Sequence, residues 1–212
     1  MKRLTVIIFI LSTFQLFAQS DNKVKTILDK VSEKTKSYPS ITATFDFIMQ
    51  NDDAGLNEKS SGTLILQKDK YKLTFNGVEI YSDGKIQWMY IRDAEEVNIT
   101  DANSGDEETI NPATIFTIYE NGFKNTYLGE FTNGSIKTYK IELIPVEIKE
   151  FTRIIIEINQ QNYQIVSAKM FGKNDNIYNI IVKSMDTSKS YDASTFSFDT
   201  KKNPNVEVVD MR

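Results

Sequence analysis

The chain has 212 residues, of which 40% are hydrophobic and 25% are charged, and this balance is typical of one folded domain. It contains no cysteine and no histidine, which excludes disulfides, a thiol nucleophile, a histidine base and any zinc or haem site built on these ligands. The net charge of −4 includes no basic cluster, so we expect no nucleic-acid partner, and we predict no cofactor and no metal site.

Residues 1–18 predict a secretory signal peptide. Lys2 and Arg3 form a basic start, and residues 4–17 follow as an apolar stretch of 14 residues. A membrane-spanning helix needs about 20 apolar residues, so an uncleaved anchor is the less favoured alternative. We expect cleavage near Ala18, export to the periplasm, and a single domain over residues 19–212.

An amphipathic helix is predicted over residues 21–37. Its apolar side chains follow the spacing i, i+3, i+4 and i+7, which places them on one face of the helix. Pro39 prevents the helix from continuing. The apolar face comprises Val24, Ile27, Leu28 and Val31.

After Pro39 the apolar period changes from 3.6 to 2, which predicts β-strands. In residues 41–50 the odd-numbered positions up to Met49 are apolar, and residues 51–60 have the composition of a turn and loop. Asn76-Gly77 and Asp83-Gly84 mark two hairpin turns between the strands that follow.

The acidic loop at residues 101–108 precedes a short second helix, predicted over residues 111–121 with Pro112 at its first position. Gly105 stands one place too early for a calcium-binding loop, so we do not favour a calcium site. The helix is apolar around most of its circumference. We therefore expect it to be buried or to cover an apolar cavity.

Strands return after residue 123 and are separated by turns at Asn133-Gly134 and at residues 160–162. Residues 192–196 suggest a single helical turn, and residues 206–212 a short closing strand. Roughly ten strands at hairpin spacing predict a mainly β protein with helices, in which one antiparallel sheet curls into an incomplete β-barrel. The helices would form an α-helical lid over its concave face.

Six segments of the chain resemble the outer-membrane lipoprotein carrier protein (LolA) family. The resemblance extends over the whole mature chain in the same order, and it implies an incomplete barrel with a helical lid, a periplasmic location and transfer of lipoproteins from the inner to the outer membrane. The segments are SGTLIL at 61–66, KYKLTF at 70–75, SDGKIQWMY at 82–90, NPATIFTIYENGF at 111–123, DASTFSFD at 192–199 and PNVEVVDMR at 204–212.

The resemblance also implies a site and its partners. Lipoprotein acyl chains would bind in a hydrophobic cavity, an inner-membrane lipoprotein-releasing transporter would load them, and the outer membrane or its receptor would accept them, with the protein itself expected to be a monomer. The predicted cavity residues are Phe45, Phe47, Met49, Leu64, Leu66, Tyr71, Leu73, Phe75, Trp88 and Tyr90. The predicted lid residues are Val24, Ile27, Leu28, Val31, Ile115, Phe116, Ile118 and Tyr119.

One position departs from the family pattern. Family members often carry an Arg-Pro pair before the SDG hairpin, and the arginine is thought to hold the lid closed. Here the matching residues are Lys68 and Asp69. Lysine keeps the positive charge but lacks the planar set of donors that can bind several carbonyls, so Lys68 is a candidate latch and, alternatively, a solvated charge at a strand end.

Other interpretations remain open at this stage. The apolar side chains of the sheet could form an ordinary core rather than a ligand wall, and the cargo could be another lipid or a hydrophobic small molecule. A third interpretation is a hydrolase that uses two carboxylates, since the chain has 29 acidic residues. No pair of them stands in an apolar setting that the sequence reveals, and we predict that the protein is not an enzyme.

Overall fold

The computed structural model describes residues 22–102, 115–134 and 136–212. Most of these residues belong to one twelve-stranded sheet. The strands are β1 (Ile41–Asn51), β2 (Leu56–Gln67), β3 (Lys70–Phe75), β4 (Val78–Ser82), β5 (Ile86–Ile91), β6 (Glu96–Asp101), β7 (Phe123–Asn133), β8 (Ile136–Pro145), β9 (Phe151–Asn159), β10 (Ile165–Gly172), β11 (Ile177–Asp186) and β12 (Glu207–Asp210). Residues 22–37 form the helix α1.

The sheet consists of two consecutive antiparallel meanders. Strands β1 to β6 form the first and strands β7 to β11 form the second, and the pairing of β1 with β11 joins them. The order of the strands places β12 at one edge and β7 at the other, so the curled sheet stays open. This arrangement confirms the predicted incomplete barrel.

One edge pair is parallel, in contrast to the all-antiparallel sheet predicted from the sequence. Strand β12 runs parallel to β6, with Val208 opposite Val97. The 20 residues between β11 and β12 carry the chain past β1 to β5 to the edge of the sheet beside β6. We call this connection, residues 187–206, the strap, because it crosses the convex face of the sheet.

Two local predictions differ from the structure. Residues 56–60 belong to β2, so the predicted loop is reduced to the turn at residues 52–55. In the predicted second helix, residues 115–116 and Ile118–Glu120 form 3-10 turns rather than α-helix. This segment is rich in β-branched and aromatic residues, which are weak helix formers, and it is too short to offset the cost of starting a helix.

Several predictions fall on residues that the structure does not describe. The signal peptide prediction lies there, as do residues 111–114 of the second helix and residues 103–108 of the acidic loop. Within the described ranges, no helix is long and apolar enough to cross a membrane.

The predicted helical turn in the strap is confirmed as the 3-10 turn Ala193–Phe196. Phe196 is fully buried, and the ring of Phe198 lies 5.1 Å from that of Tyr90 and 5.9 Å from that of Tyr81. These contacts form a small apolar cluster on the convex face, separate from the main core. The sheet is therefore apolar on both faces near β4, β5 and β6.

Candidate functional site: a lidded apolar trough

The concave face of the sheet is a continuous apolar surface, which we call the trough. Residues directly opposite each other on antiparallel strands share a face, so the register defines its members. In the first meander, Ala43 lies opposite Leu64, and Leu64 lies opposite Leu73. In the second, Phe47 of β1 lies opposite Ile180 of β11, and the row continues to Ala168, Ile156 and Ile141.

Helix α1 covers one part of the trough. Val24, Ile27, Leu28 and Val31 are buried, with exposed fractions between 1% and 7%. They belong to the same core cluster as the inner side chains of β8 and β9, which are fully buried. The predicted apolar face of the helix therefore packs on the concave side of the sheet.

Residues 115–120 belong to the same cover. Ile115, Phe116 and Tyr119 are buried in the core cluster, and Ile118 packs against it from a half-buried position. All eight predicted lid residues thus contact the apolar side of the sheet or its cover. Whether these elements move remains a prediction.

The other end of the trough is less covered. Along β1, Ile41, Ala43 and Phe45 are buried, whereas Phe47 and Met49 are only half-buried. The ring of Phe47 lies 5.1 Å from that of Phe75, edge to face, and 6.0 Å from that of Tyr178. We call this group, Phe47, Met49, Phe75 and Tyr178, the aromatic end of the trough.

Gly62 makes room for one of these aromatic contacts. A Cβ atom at this position would lie 2.5 Å from Cζ of Phe45 and 2.9 Å from the carbonyl oxygen of Thr74. Only glycine therefore lets the Phe45 ring lie flat over β2, where it stacks on Phe75 with 6.0 Å between ring centroids.

Eight of the ten predicted cavity residues lie on the concave face. The register places Phe45, Phe47, Met49, Leu64, Leu66, Tyr71, Leu73 and Phe75 together. Leu66 and Tyr71 are half-buried against the core, and Leu64 and Leu73 are buried in it. Their role as a ligand wall remains a prediction.

Trp88 and Tyr90 lie on the opposite, convex face. Trp88 pairs with Tyr81 and Tyr90 pairs with Glu79, whereas Ile80 of the concave face pairs with Met89. The structure therefore separates these two aromatic residues from the predicted cavity set. Gln87, Met89 and Ile91 occupy the concave positions of β5 instead.

The sequence contains a signal for this outcome. Four residues separate Ser82 from its partner Gln87, so Gln87 and every second residue after it lie on the face of Ser82. Gln87 is anchored on the concave side because the hydroxyl of Tyr71 donates a 2.6 Å hydrogen bond to its Oε1. The size and aromatic character of Trp88 favour a position in the cavity, but the register of the strands determines the face of the sheet on which it lies.

Lys68 lies in the turn between β2 and β3, with φ of 59° and an exposed side chain. Among the residues that the structure describes, its ammonium group makes no hydrogen bond and no ion pair. No contact of Lys68 with the described residues therefore supports its predicted role as a latch.

Other polar contacts fasten the cover, and no local pattern in the sequence reveals them. The carboxylate of Glu120 accepts a 2.7 Å hydrogen bond from the hydroxyl of Ser32 and lies 2.9 Å from Nζ of Lys36. It therefore links residues 115–120 to α1, and we call this contact the Glu120 clip. The hydrogen bonds from Ser32 and Lys36 lower the pKa of Glu120 below its ordinary value.

Two lysines on α1 fasten the helix to the sheet. Nζ of Lys23 lies 3.0 Å from the carboxylate of Glu130 and 4.3 Å from the centre of the Tyr127 ring. Nζ of Lys30 donates a 3.1 Å hydrogen bond to the hydroxyl of Tyr163. No spacing rule within one segment could reveal these pairs, because their partners lie more than 100 residues apart in the chain.

A groove of about 560 Å³ lies between α1 and residues 119–125. Leu28 and Tyr119 line it together with the three residues of the Glu120 clip. Burial raises the pKa of Tyr119 to about 12, and its hydroxyl has no hydrogen-bond partner among the described residues. The groove is thus the seam between the two parts of the cover, and the clip closes it.

Comparisons with known proteins agree with this architecture. A family model described as outer membrane lipoprotein carrier protein LolA matches residues 11–174. The last two segments of the predicted resemblance lie beyond that match. No curated protein sequence matches the chain significantly.

Solved structures share the fold at low sequence identity. An uncharacterized conserved protein from Thermus thermophilus has a TM-score of 0.61 and 11% identity, over 89% of this chain and 99% of the other. The Mycobacterium tuberculosis lipoprotein LppX has a TM-score of 0.51 and 12% identity, over 82% and 100%. A putative outer membrane lipoprotein-sorting protein domain from Vibrio parahaemolyticus has a TM-score of 0.50 and 11% identity, over 83% and 97%.

Proposed function

Because the chain belongs to the outer membrane lipoprotein carrier protein LolA family, we propose that it binds the acyl chains of lipoproteins in the trough and carries them from the inner to the outer membrane. The family is one of lipid- and lipoprotein-binding carriers. The observation that carries the proposal is the half-buried aromatic end of a trough that α1 and residues 115–120 cover only in part. A sealed core would be covered along its whole length.

The energetics of acyl transport explain why such a trough is needed. Burying a methylene is worth about 0.8 kcal/mol, so a chain of some 15 methylenes represents roughly 12 kcal/mol. A carrier in water must replace the membrane interior with its own apolar surface. The rows of isoleucine, leucine and phenylalanine on the concave face provide this surface, and the cover shields it from water when no cargo is bound.

The location and the partners belong to the same proposal. A signal peptide over residues 1–18 would export the protein to the periplasm. There a lipoprotein-releasing transporter of the inner membrane would load the trough, and the outer membrane or its receptor would accept the cargo. No nucleotide-binding motif occurs in the sequence, so transfer would depend on relative affinities or on energy spent by a partner.

A second candidate cargo is another lipid or a hydrophobic small molecule. The turn residue Lys68 favours it, because the family's lid arginine is absent there and the exposed lysine makes no polar contact within the described residues. Both candidate cargoes would bind in the same trough, and carrying either of them requires no catalytic reaction.

Native mass spectrometry of the protein purified from its own periplasm tests the proposal. We expect a bound species with the mass of an acylated peptide or protein, because a trough of this kind should retain its cargo. A bound glycerolipid or small apolar molecule would favour the second candidate. A chain that is recovered empty and does not bind a fluorescent fatty acid or a synthetic lipopeptide would contradict both.

The Glu120 clip should control the opening of the cover. We expect Glu120→Ala to favour the open form by about 1 kcal/mol, roughly a fivefold change in population, because two hydrogen bonds to a partly exposed carboxylate are lost. Since the chain has no cysteine, spin labels introduced by Thr117→Cys and Thr44→Cys would report the distance between this segment and the sheet. Lys68→Leu is the matched control and should leave that distance unchanged.

The clip should also respond to acid. Its carboxylate has a lowered pKa in the folded protein, so its contribution is complete above the ordinary value of 4.5 and is lost as the pH falls through the lower folded value. The spin-label distance should therefore lengthen below about pH 4.5 in the wild type. It should change much less over the same range in Glu120→Gln, and equal responses would show that Glu120 does not hold the cover.

A further inference from the structure

The loop between β8 and β9, residues 146–150, exposes two aliphatic side chains to an unusual degree. Ile148 is 93% exposed and Val146 is 74% exposed, which makes them the most exposed large apolar side chains of the described residues. Single exposed apolar residues are common on protein surfaces, whereas here two lie together in one short loop.

This loop belongs to the rim at the less covered end of the trough. The backbone N–H of Val146 donates to the carbonyl of Gly122, and that of Lys173 donates to the carbonyl of Glu150. The side-chain amide of Asn51 then donates to the carbonyl of Asn174. These bonds join the loops that follow β1, β8 and β10, so the rim is one connected layer beside Met49 and Tyr178.

An aromatic pair connects the loop with the interior of the trough. Phe123 and Phe151 flank the loop, and their rings stack with 6.2 Å between centroids. Both pack against the main core cluster, in which Leu143 of β8 and Ile154 of β9 are fully buried and lie opposite each other. The stacked pair thus lies between the base of the loop and the floor of the trough.

We propose that residues 146–150 insert into the surface of a lipid bilayer when cargo is exchanged, which rests on the proposed carrier function. The two side chains are too few for a stable protein partner, because specific protein interfaces bury about 1,000 Å² or more. A bilayer accepts a small protruding apolar tip without a complementary pocket, and its contact is brief and reversible. Both properties suit a carrier that must leave the membrane again.

The charges around the tip favour a neutral, zwitterionic membrane surface. Glu147 and Glu150 are balanced by Lys149 and Lys173, and Lys173 pairs with Glu150 at 3.6 Å. Binding to anionic lipids uses clusters of basic residues, which this loop does not have. The expected contact therefore depends on the aliphatic side chains rather than on attraction of charges.

Environment-sensitive labelling of the mature chain tests this proposal. Because the protein has no cysteine, Ile148→Cys and Ser190→Cys each provide one site for a nitrobenzoxadiazole dye. Ser190 is exposed in the strap, beyond the opposite end of β11, and is the matched control. With phosphatidylcholine vesicles we expect a several-fold rise and a blue shift of emission at position 148 and no change at position 190.

Other results would overturn the proposal. An unchanged signal at position 148, or equal changes at both positions, would exclude insertion of this loop. A rise at position 148 with protein concentration alone, without vesicles, would identify a second copy of the chain as the occupant.

A second variant separates this inference from the proposed function. Ile148→Glu should leave the binding of a soluble fluorescent fatty acid unchanged, because the residue lies outside the trough, and should slow transfer of that fatty acid to vesicles several-fold. Failure of the wild type to bind the fatty acid would refute the carrier function. Normal binding with equal transfer rates for wild type and variant would refute only the role of the loop.

Discussion

Replacing Phe47 by glutamate is expected to lower the affinity for an acyl chain by roughly a hundredfold while the protein stays folded. Phe47 is half-buried at the aromatic end of the trough, so a carboxylate there can remain hydrated when the trough is empty. Cargo would have to displace that water and leave the charge unpaired. Titration with a fluorescent fatty acid, together with thermal unfolding followed by circular dichroism, measures both effects.

Phe45→Glu is the matched control on the same strand and the same face. Phe45 is only 3% exposed, and its ring fits closely over Gly62, so a carboxylate at this position would be buried without a partner. We expect this variant to unfold. If Phe47→Glu unfolds in the same way, the aromatic end is sealed core and not a ligand wall.

The overall fold could be predicted because alternation and turn residues are local signals. The change of period after Pro39 and the turns at Asn76-Gly77 and Asp83-Gly84 each specify one step of an antiparallel meander. Repetition of such steps gives a sheet that must curl. The parallel position of β12 could not be derived in this way, since it depends on the path of the strap across the sheet.

The site could be predicted only in part, for a physical reason. The first meander is one continuous register, so Phe45, Leu64 and Leu73 were grouped correctly from their alternation. Trp88 and Tyr90 were grouped with them because large aromatic residues are expected to be buried. This sheet has an apolar cluster on each face, so an aromatic residue can be buried on either side of it. The Glu120 clip joins elements distant in the chain, and no local pattern encodes such a pair.

The two apolar clusters lie on opposite faces of the sheet. On the concave side, one end of the trough is partly open and polar contacts fasten the cover. On the convex side, Phe196 of the strap is fully buried, and Val97 and Ile99 of β6 are buried on the same face. We infer that the convex cluster stabilises the first meander while the concave face opens.

Replacing Phe196 by alanine should therefore destabilise the protein by about 3–5 kcal/mol without lowering its affinity for an acyl chain below the unfolding temperature. The lost ring leaves a cavity under the strap, on the face opposite the trough. Ser194→Ala, an exposed change in the same turn, should have little effect on stability. Urea unfolding and fatty-acid titration provide the two measurements.

The fluorescence of Trp88 can report whether the two faces of the sheet are independent, because Trp88 is the only tryptophan of the chain and lies on the convex face. Its emission should stay constant when a fatty acid binds to the wild type, since the ligand and the indole are on opposite sides of the sheet. It should shift to longer wavelength in Phe196→Ala, in which the strap covers this face less tightly. A change of Trp88 emission on ligand binding, or a loss of affinity in folded Phe196→Ala, would show that the two faces are coupled and that the trough depends on the strap.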